Sequence, residues 1–139
     1  MYISNKQISL PLVKQTSVFS NISDLYKLLE SIGWDQMTCF RKSQWNSSNK
    51  CCGQCNATVL LVQEYFGGDI IECPSPSKAK QMHYFNRING VDIDLTSNQF
   101  SSQLKYSSYN KVVKLRNKPR GYGYIYEKSE YILKLKLGL

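Results

Sequence analysis

Apolar residues recur at helical spacing in two segments of the first half of the chain. Leucine and isoleucine share one face of residues 25–32, the polar residues within 21–24 offer N-terminal caps, and Gly33 offers a stop. Residues 55–66 are apolar over a wider face, and Gly67 follows them. The pattern therefore predicts two helices, of which the second is central and largely buried.

Strand patterns follow the second predicted helix. Short apolar or alternating runs cover residues 69–73, 81–88 and 91–95. The pair Asn89-Gly90 separates the last two runs and is a strong signal for a tight hairpin turn. We therefore expect residues 81–88 and 91–95 to pair as an antiparallel hairpin.

This hairpin would bring two ionisable side chains together. If the turn has two residues, Ile88 pairs with Val91, and His83 and Asp94 become diagonal neighbours on one face of the sheet. A carboxylate at that position is within reach of the imidazole. A bulge in either strand would break this register.

The remaining segments carry weaker patterns. Residues 1–20 predict a loose lead-in, and the polar residues 33–52 predict a long loop. A strand is predicted over 122–126. Residues 128–137 alternate leucine and lysine as a strand does, but Ser129-Glu130 is typical of a helix start, so both structures remain open here.

Length and composition are those of one globular domain spanning residues 1–139. Neither a signal-peptide pattern nor an apolar run of membrane-spanning length is present, which predicts a cytoplasmic protein without a membrane partner. Export by a route without a cleaved signal would remain compatible with this sequence.

Cysteine use argues against a disulfide framework, because the count is odd and no secretion signal accompanies it. The five cysteines are Cys39, Cys51, Cys52, Cys55 and Cys73. Cys52 and Cys55 form a C-x-x-C pair, but a second such pair, which a zinc site would need, is absent. A redox pair of the thioredoxin type lacks its βαβ surroundings. We therefore predict no metal and no cofactor.

Positive charge is concentrated in the last part of the chain. The net charge is +8, and residues 111–139 contribute eight Lys or Arg against two Glu. This basic third also carries four tyrosines and could face an anionic partner. A solvated lysine-rich surface is the favoured interpretation, and nucleic acid is not expected because no nucleic-acid motif accompanies the charge.

Three residues together have the composition of a nucleophilic site. Cys55 lies at the start of the predicted central helix, where the helix dipole favours the thiolate and first-turn amides can hold an oxyanion. His83, which is the single histidine, could take the proton of the thiol, and Asp94 could orient the imidazole. Individually these would be a core cysteine, a strand histidine and a capping aspartate. Their conjunction predicts a catalytic triad.

Several short runs between residues 45 and 100 carry a specific resemblance. They are Gly53-Gln54-Cys55, Tyr65-Phe66-Gly67-Gly68, His83-Tyr84-Phe85-Asn86-Arg87 and Asp94-Leu95-Thr96 with Gln99-Phe100. With them the chain resembles the YunG-like family of small bacterial proteins, and it is similar in outline to the papain-like cysteine hydrolases.

The resemblance implies an α+β, papain-like fold. In that fold a central helix carrying the cysteine packs on a small antiparallel sheet carrying the histidine and the aspartate. It also implies that Cys55, His83 and Asp94 form the triad. The usual papain signature around the cysteine is absent, and the pair Cys51-Cys52 and the basic third depart from the family pattern.

Four further residues are candidates for the site. Asn49 lies six residues before Cys55, where papain-like enzymes carry their oxyanion glutamine, and Gln54 is adjacent to the nucleophile; both are candidates for the oxyanion hole together with the Cys55 amide. Trp45 and Tyr84 are candidate walls of a cleft, with plain core packing as the alternative.

These residues predict a cysteine hydrolase that acts on an amide of a protein or peptide through a thioester. Peptidase, isopeptidase, deamidase and acyl-transfer chemistry share that first half-reaction. The alternative is a binding module without catalysis on a papain-like scaffold, with the basic, tyrosine-rich third as its partner surface. A redox or metal role for Cys51, Cys52 and Cys55 is the third possibility.

Overall fold

The computed structural model describes residues 1–116 and 122–139, with the backbone alone for residues 122–124. The described residues form α-helices on a five-stranded antiparallel sheet, which is an α+β architecture. The helices are α1 (Ile22–Leu28), α2 (Cys55–Phe66) and α3 (Tyr122–Leu137). The strands are β1 (Tyr2–Ile3), β2 (Asp69–Pro74), β3 (Met82–Ile88), β4 (Val91–Asp94) and β5 (Lys111–Val113).

The predicted hairpin is confirmed, together with its register. β3 pairs with β4 so that Ile88 lies opposite Val91, and the sheet order is β1-β4-β3-β2-β5. Asn89 and Gly90 both have positive φ, at 51° and 75°. Positive φ at both central residues is the requirement of the type I′ turn that suits a two-residue hairpin.

Helix α2 has the bounds that its pattern predicts and lies at the centre of the protein. Ten of its twelve residues are buried, and it packs against β3 and α3. Asn86 on β3 is buried and donates a hydrogen bond from Nδ2 to the Val59 carbonyl of α2 at 3.0 Å. This bond fixes the helix that carries Cys55 to the strand that carries His83.

The first helix is also where the sequence indicates, with one difference. Asn21 caps α1, because its side chain accepts a hydrogen bond from the Asp24 amide at 2.9 Å. The helix continues past Leu28 as one wider π-helical turn, Leu29–Gly33. Leu25 and Leu29 of the predicted apolar face are fully buried, whereas Ile32, in the π-helical turn, is 51% exposed, so the face is retained only in part.

The predicted loose lead-in at residues 1–20 is attached to the core at several points. β1 pairs with β4, the Val13 amide bonds to the Tyr65 carbonyl at 2.8 Å, and Phe19 is buried against Tyr65 and Phe66. These residues have little regular structure, but they cover the edge of the sheet and one end of α2.

The predicted strand at 122–126 is wrong, and the open choice at 128–137 resolves to helix, since both belong to α3. Leu133 and Leu137 are buried one helical turn apart, whereas Leu135 between them is 59% exposed. The leucine–lysine alternation is therefore not a strand face. Tertiary packing of the i, i+4 pair decides the structure.

Among the six described cations of the basic third, four form ion pairs inside the molecule. Lys111 pairs with Glu72, Arg116 with Glu130, Lys134 with Glu64 and Lys136 with Asp35. Lys118 and Arg120 lie outside the described residues. An anionic partner for this third stays a prediction. Within the described part of the chain, no helix is long and apolar enough to cross a membrane.

Candidate functional site

Cys55 is the first residue of α2, and the backbone before it is held in a special conformation. Gly53 has φ of +75°, and a Cβ at this position would collide with the Sγ of Cys39. Glycine tolerates positive φ and leaves that space empty. No side chain caps this end of α2, so the first-turn amides remain available to a bound group.

His83 and Asp94 meet as the hairpin register predicts. The His83 Nε2 atom lies 2.7 Å from the Asp94 Oδ2 atom, and both side chains are about 1% exposed. The sequence-based prediction of this diagonal contact is therefore confirmed. Because water is excluded, the hydrogen bond between the two groups acts in a low dielectric.

The Asp94 carboxylate is enclosed by donors. Oδ1 accepts hydrogen bonds from the Thr96 amide at 3.0 Å and the Thr96 hydroxyl at 3.1 Å. Oδ2 accepts a further bond from the Tyr106 hydroxyl at 2.8 Å, beside the bond with His83. A buried carboxylate with this many donors is held in one orientation and cannot easily rotate.

These contacts decide the protonation of the imidazole. Burial by itself lowers the pKa of His83, but the charge of Asp94, the hydrogen bond with it, and the interactions with the Cys55 thiol outweigh burial and raise the pKa to about 10. The ring is therefore protonated at neutral pH, and it interacts with Asp94 on one side and Cys55 on the other.

Around Cys55 the contacts are fewer. Its Sγ donates a hydrogen bond to the Asn56 Oδ1 atom at 3.0 Å, and it interacts with the His83 ring. The ring of Phe100 meets the imidazole edge to face, with centroids 4.7 Å apart. Since Nε2 is bonded to Asp94, Nδ1 is the ring nitrogen left for the thiol.

A cleft of about 240 Å³ opens beside Cys55 and His83. Tyr84, predicted as a wall, does line it, together with Phe40 and Phe100. Met82 and Tyr126 also line it, and most of the remaining side chains are polar or basic. The site therefore combines a thiol and an imidazolium with a concave, partly aromatic space of the kind that receives ligands.

Three predicted site residues are not brought to this cleft. Gln54 is fully buried and donates from Nε2 to the Asp35 carbonyl at 2.8 Å; Asn49 donates from Nδ2 to the Gln99 carbonyl at 3.3 Å. Trp45 donates to the Lys50 carbonyl at 3.2 Å. None of the three lines the cleft; each donates to a backbone carbonyl instead, and the buried Gln54 Oε1 atom has no hydrogen-bond partner among the described residues.

The other cysteines differ from Cys55 in their surroundings. All five are free. Burial raises the pKa of Cys51 and of Cys73 to about 12, whereas Cys52 is half-buried and lines the same cleft as Cys55. Within residues 1–116 and 122–139, no three His, Cys, Asp or Glu side chains form a group that could hold a metal ion.

Two residues of the site were missed from the sequence. Asn56 directly follows Cys55, and its amide is the polar side chain at the thiol, whereas the oxyanion candidates predicted from the sequence, Asn49 and Gln54, both precede the cysteine. Tyr106 lies twelve positions after Asp94 in a short 3₁₀ turn, Tyr106–Ser108. No local pattern indicates that its hydroxyl reaches Asp94.

Comparison with known proteins places these residues in a family context. The family model described as YunG protein matches residues 21–132, which include the three residues of the predicted triad. The chain is 39% identical over 64 residues to the uncharacterized protein YunG of Bacillus subtilis (strain 168). That alignment covers 46% of this chain and spans about half, 53%, of the relative. No solved structure matches.

Proposed function

The chain belongs to the YunG family, and we propose that it is a cysteine hydrolase that cleaves an amide bond through a thioester on Cys55. The observation that carries this proposal is the continuous set of contacts from the Cys55 thiol through the His83 imidazole to the Asp94 carboxylate. A nucleophile, a base and an orienting acid in contact at the edge of a cleft are the parts that acyl transfer needs.

In the first half-reaction, the Cys55 thiolate attacks the carbonyl carbon of the amide. The carbonyl electron pair moves onto oxygen and returns as the C–N bond breaks. Protonated His83 gives its proton to the leaving amine. A thioester remains on Cys55, and neutral His83 then takes a proton from the incoming water, whose oxygen displaces the sulfur to give a carboxylic acid.

Asp94 keeps this cycle in one orientation. Its bonds to Thr96 and Tyr106 hold the carboxylate still, and the carboxylate in turn fixes His83 with one ring nitrogen facing Cys55. The oxyanion would be held by the Cys55 backbone amide and by Asn56, whose side-chain amide lies at the thiol and can present its NH₂ group after rotation about χ2.

The finer classification belongs to the same proposal. A cysteine-bearing central helix against a sheet that carries histidine and aspartate is the papain-like arrangement, and we assign the fold to that group on this likeness. Five free cysteines suit a reducing, cytoplasmic setting. Peptidase, isopeptidase, deamidase and acyl-transfer reactions all begin with this thioester, on a protein or peptide amide.

The proposal is tested by the rate at which iodoacetamide alkylates each cysteine at pH 7, read peptide by peptide by mass spectrometry. Cys55 should react fastest, and His83→Ala should slow it on the order of 100-fold, because the thiolate loses its imidazolium partner. Cys51 and Cys73 serve as internal controls, since their raised pKa predicts slow reaction in every variant.

A second variant guards against a folding defect in the first. His83→Asn retains a polar side chain at a buried position and should slow Cys55 to a similar extent, while the thermal unfolding curve shows whether the domain remains folded. If Cys55 in a folded variant reacts at the wild-type rate without the imidazole, the hydrolase proposal fails.

A further inference from the structure

The cleft beside Cys55 is lined by cations and by no carboxylate. Arg41, Lys78 and Lys80 line it, and the described lining residues include neither aspartate nor glutamate. Apart from His83, whose charge is balanced by Asp94, these three side chains are the charged groups of the lining. The space in which the substrate of Cys55 would lie therefore has a positive potential.

Nothing in the described residues neutralises these cations. Lys78 and Lys80 form no ion pair within residues 1–116 and 122–139, and Arg41 lies over the ring of Phe40 at 5.6 Å. Glu72, which lies opposite Tyr84 in the sheet, is already paired with Lys111 at 2.8 Å. This contrasts with the basic third of the chain, where four of the six described cations have internal carboxylate partners.

The loop that carries the two lysines is ordered by its own backbone. It joins β2 to β3 and is closed by hydrogen bonds from the Ser75 amide to the Gln81 carbonyl at 2.9 Å and from the Gln81 amide to the Lys78 carbonyl at 3.3 Å. Lys80 has a φ of 62°, an unfavourable conformation for a lysine. The chain thus holds both lysines at the cleft, two and four residues before Met82, where β3 begins.

We propose that the cleft selects amide substrates that carry a carboxylate within a few bonds of the scissile carbonyl, such as a peptide with an acidic side chain at that point. This inference rests on the proposed function. Phe40, Tyr84 and Phe100 would pack against the apolar part of such a substrate and exclude water. The cations would then act on its carboxylate at short range.

The experiment compares iodoacetate with iodoacetamide on the intact protein. Both reagents form the same Sγ–C bond with release of iodide, and they differ in that one carries a carboxylate and the other a neutral amide. The measured quantity is the rate of Cys55 alkylation by iodoacetate divided by the rate with iodoacetamide. At low salt this ratio should exceed the ratio for free cysteine by about tenfold. It should fall as added salt screens the charges of the cleft.

The decisive comparison is between two double variants of equal net charge. Lys78→Gln with Lys80→Gln should lower the rate ratio at Cys55 several-fold. Lys6→Gln with Lys27→Gln removes two exposed lysines outside the cleft and should leave the ratio at its wild-type value. An equal effect of both pairs would mean that net charge alone acts, and this would overturn the proposal.

The two proposals fail in different ways. If Cys55 alkylation depends on His83 but the rate ratio is the same in the Lys78 and Lys80 variant as in wild type, the substrate class is wrong and the hydrolase proposal stands. If the rate of Cys55 alkylation by both reagents is the same with and without His83, the proposed function itself has failed. If the rate ratio does depend on Lys78 and Lys80, the next measurement is the hydrolysis rate of two peptide amides that differ only by glutamate or glutamine near the scissile bond.

Discussion

The two sides of the His83 ring are built in opposite ways. On one side, Asp94 is buried and receives bonds from the ring, from Thr96 and from Tyr106. On the other, Cys55 faces an open cleft with basic side chains and has the adjacent Asn56 amide as its hydrogen-bond acceptor.

This difference separates two tasks within one site. A closed side with fixed donors holds the ring in one orientation and keeps it charged, and it needs no access for a substrate. An open side leaves space and unpaired charge for an incoming group. The comparison predicts that changes on the Asp94 side alter protonation and rate for every reagent, whereas changes on the cleft side alter selectivity.

The imidazole titration is the largest expected effect. His83 is the single histidine, so one set of imidazole resonances reports it by NMR. Its pKa should lie near 10 in the wild type and fall below the usual value of about 6.5 in Asp94→Asn, because burial then acts without the opposing charge. A value near 6.5 in both proteins would show that the closed side does not control the ring.

The same shift predicts how stability depends on pH. Since the pKa in the folded state is above that of the unfolded chain, the contribution of protonated His83 to stability is complete below about pH 6.5 and is lost as the pH rises through about 10. Urea unfolding at pH 6 and pH 10 should therefore differ more in the wild type than in Asp94→Asn.

Removal of the negative charge behind the ring should also slow the nucleophile. Asp94→Asn should lower the rate of Cys55 alkylation at pH 7 on the order of 10- to 100-fold, because the ring loses its proton and no longer pairs with a thiolate. Asp92→Asn is the matched control, since it removes another buried carboxylate of β4, paired with Arg87 at 2.6 Å. Equal slowing by both variants would contradict a specific role for Asp94.

Tyr106→Phe tests whether the closed side needs its outer donor. It removes one hydrogen bond to a buried carboxylate, which is worth about 1.5–3 kcal/mol in the free energy of unfolding. We expect Cys55 alkylation to slow about three- to tenfold as Asp94 becomes less fixed. Tyr109→Phe, a half-buried tyrosine three residues away, should change neither quantity to this extent.

The smallest expected effect concerns the hydrogen bond that joins α2, which carries Cys55, to β3, which carries His83. Asn86→Ala removes the hydrogen bond to the Val59 carbonyl and should lower the free energy of unfolding by about 1 kcal/mol. Cys55 alkylation should slow two- to threefold through a looser fit of α2 on β3. Asn110→Ala removes an exposed bond to Arg87 and serves as the control. If Asn110→Ala slowed Cys55 alkylation more than Asn86→Ala, the Asn86 hydrogen bond would not be what couples α2 to β3.

Local rules in the sequence determined the hairpin, its register and the central helix. Asn89-Gly90 requires a two-residue turn, and strand geometry then places His83 diagonal to Asp94. The apolar face of residues 55–66, ended by Gly67, set the bounds of α2 and placed Cys55 at its start. These features depend on neighbours in the chain, so the sequence alone could predict them.

Tertiary structure decided what depends on distant partners. Residues 128–137 are helical because Leu133 and Leu137 pack into the core formed with α1 and α2, although the local alternation resembles a strand. Gln54 and Asn49 turn to backbone carbonyls of other loops, and Tyr106 reaches Asp94 from another segment. A side-chain donor bonds where an acceptor is available, and the fold sets the position of that acceptor.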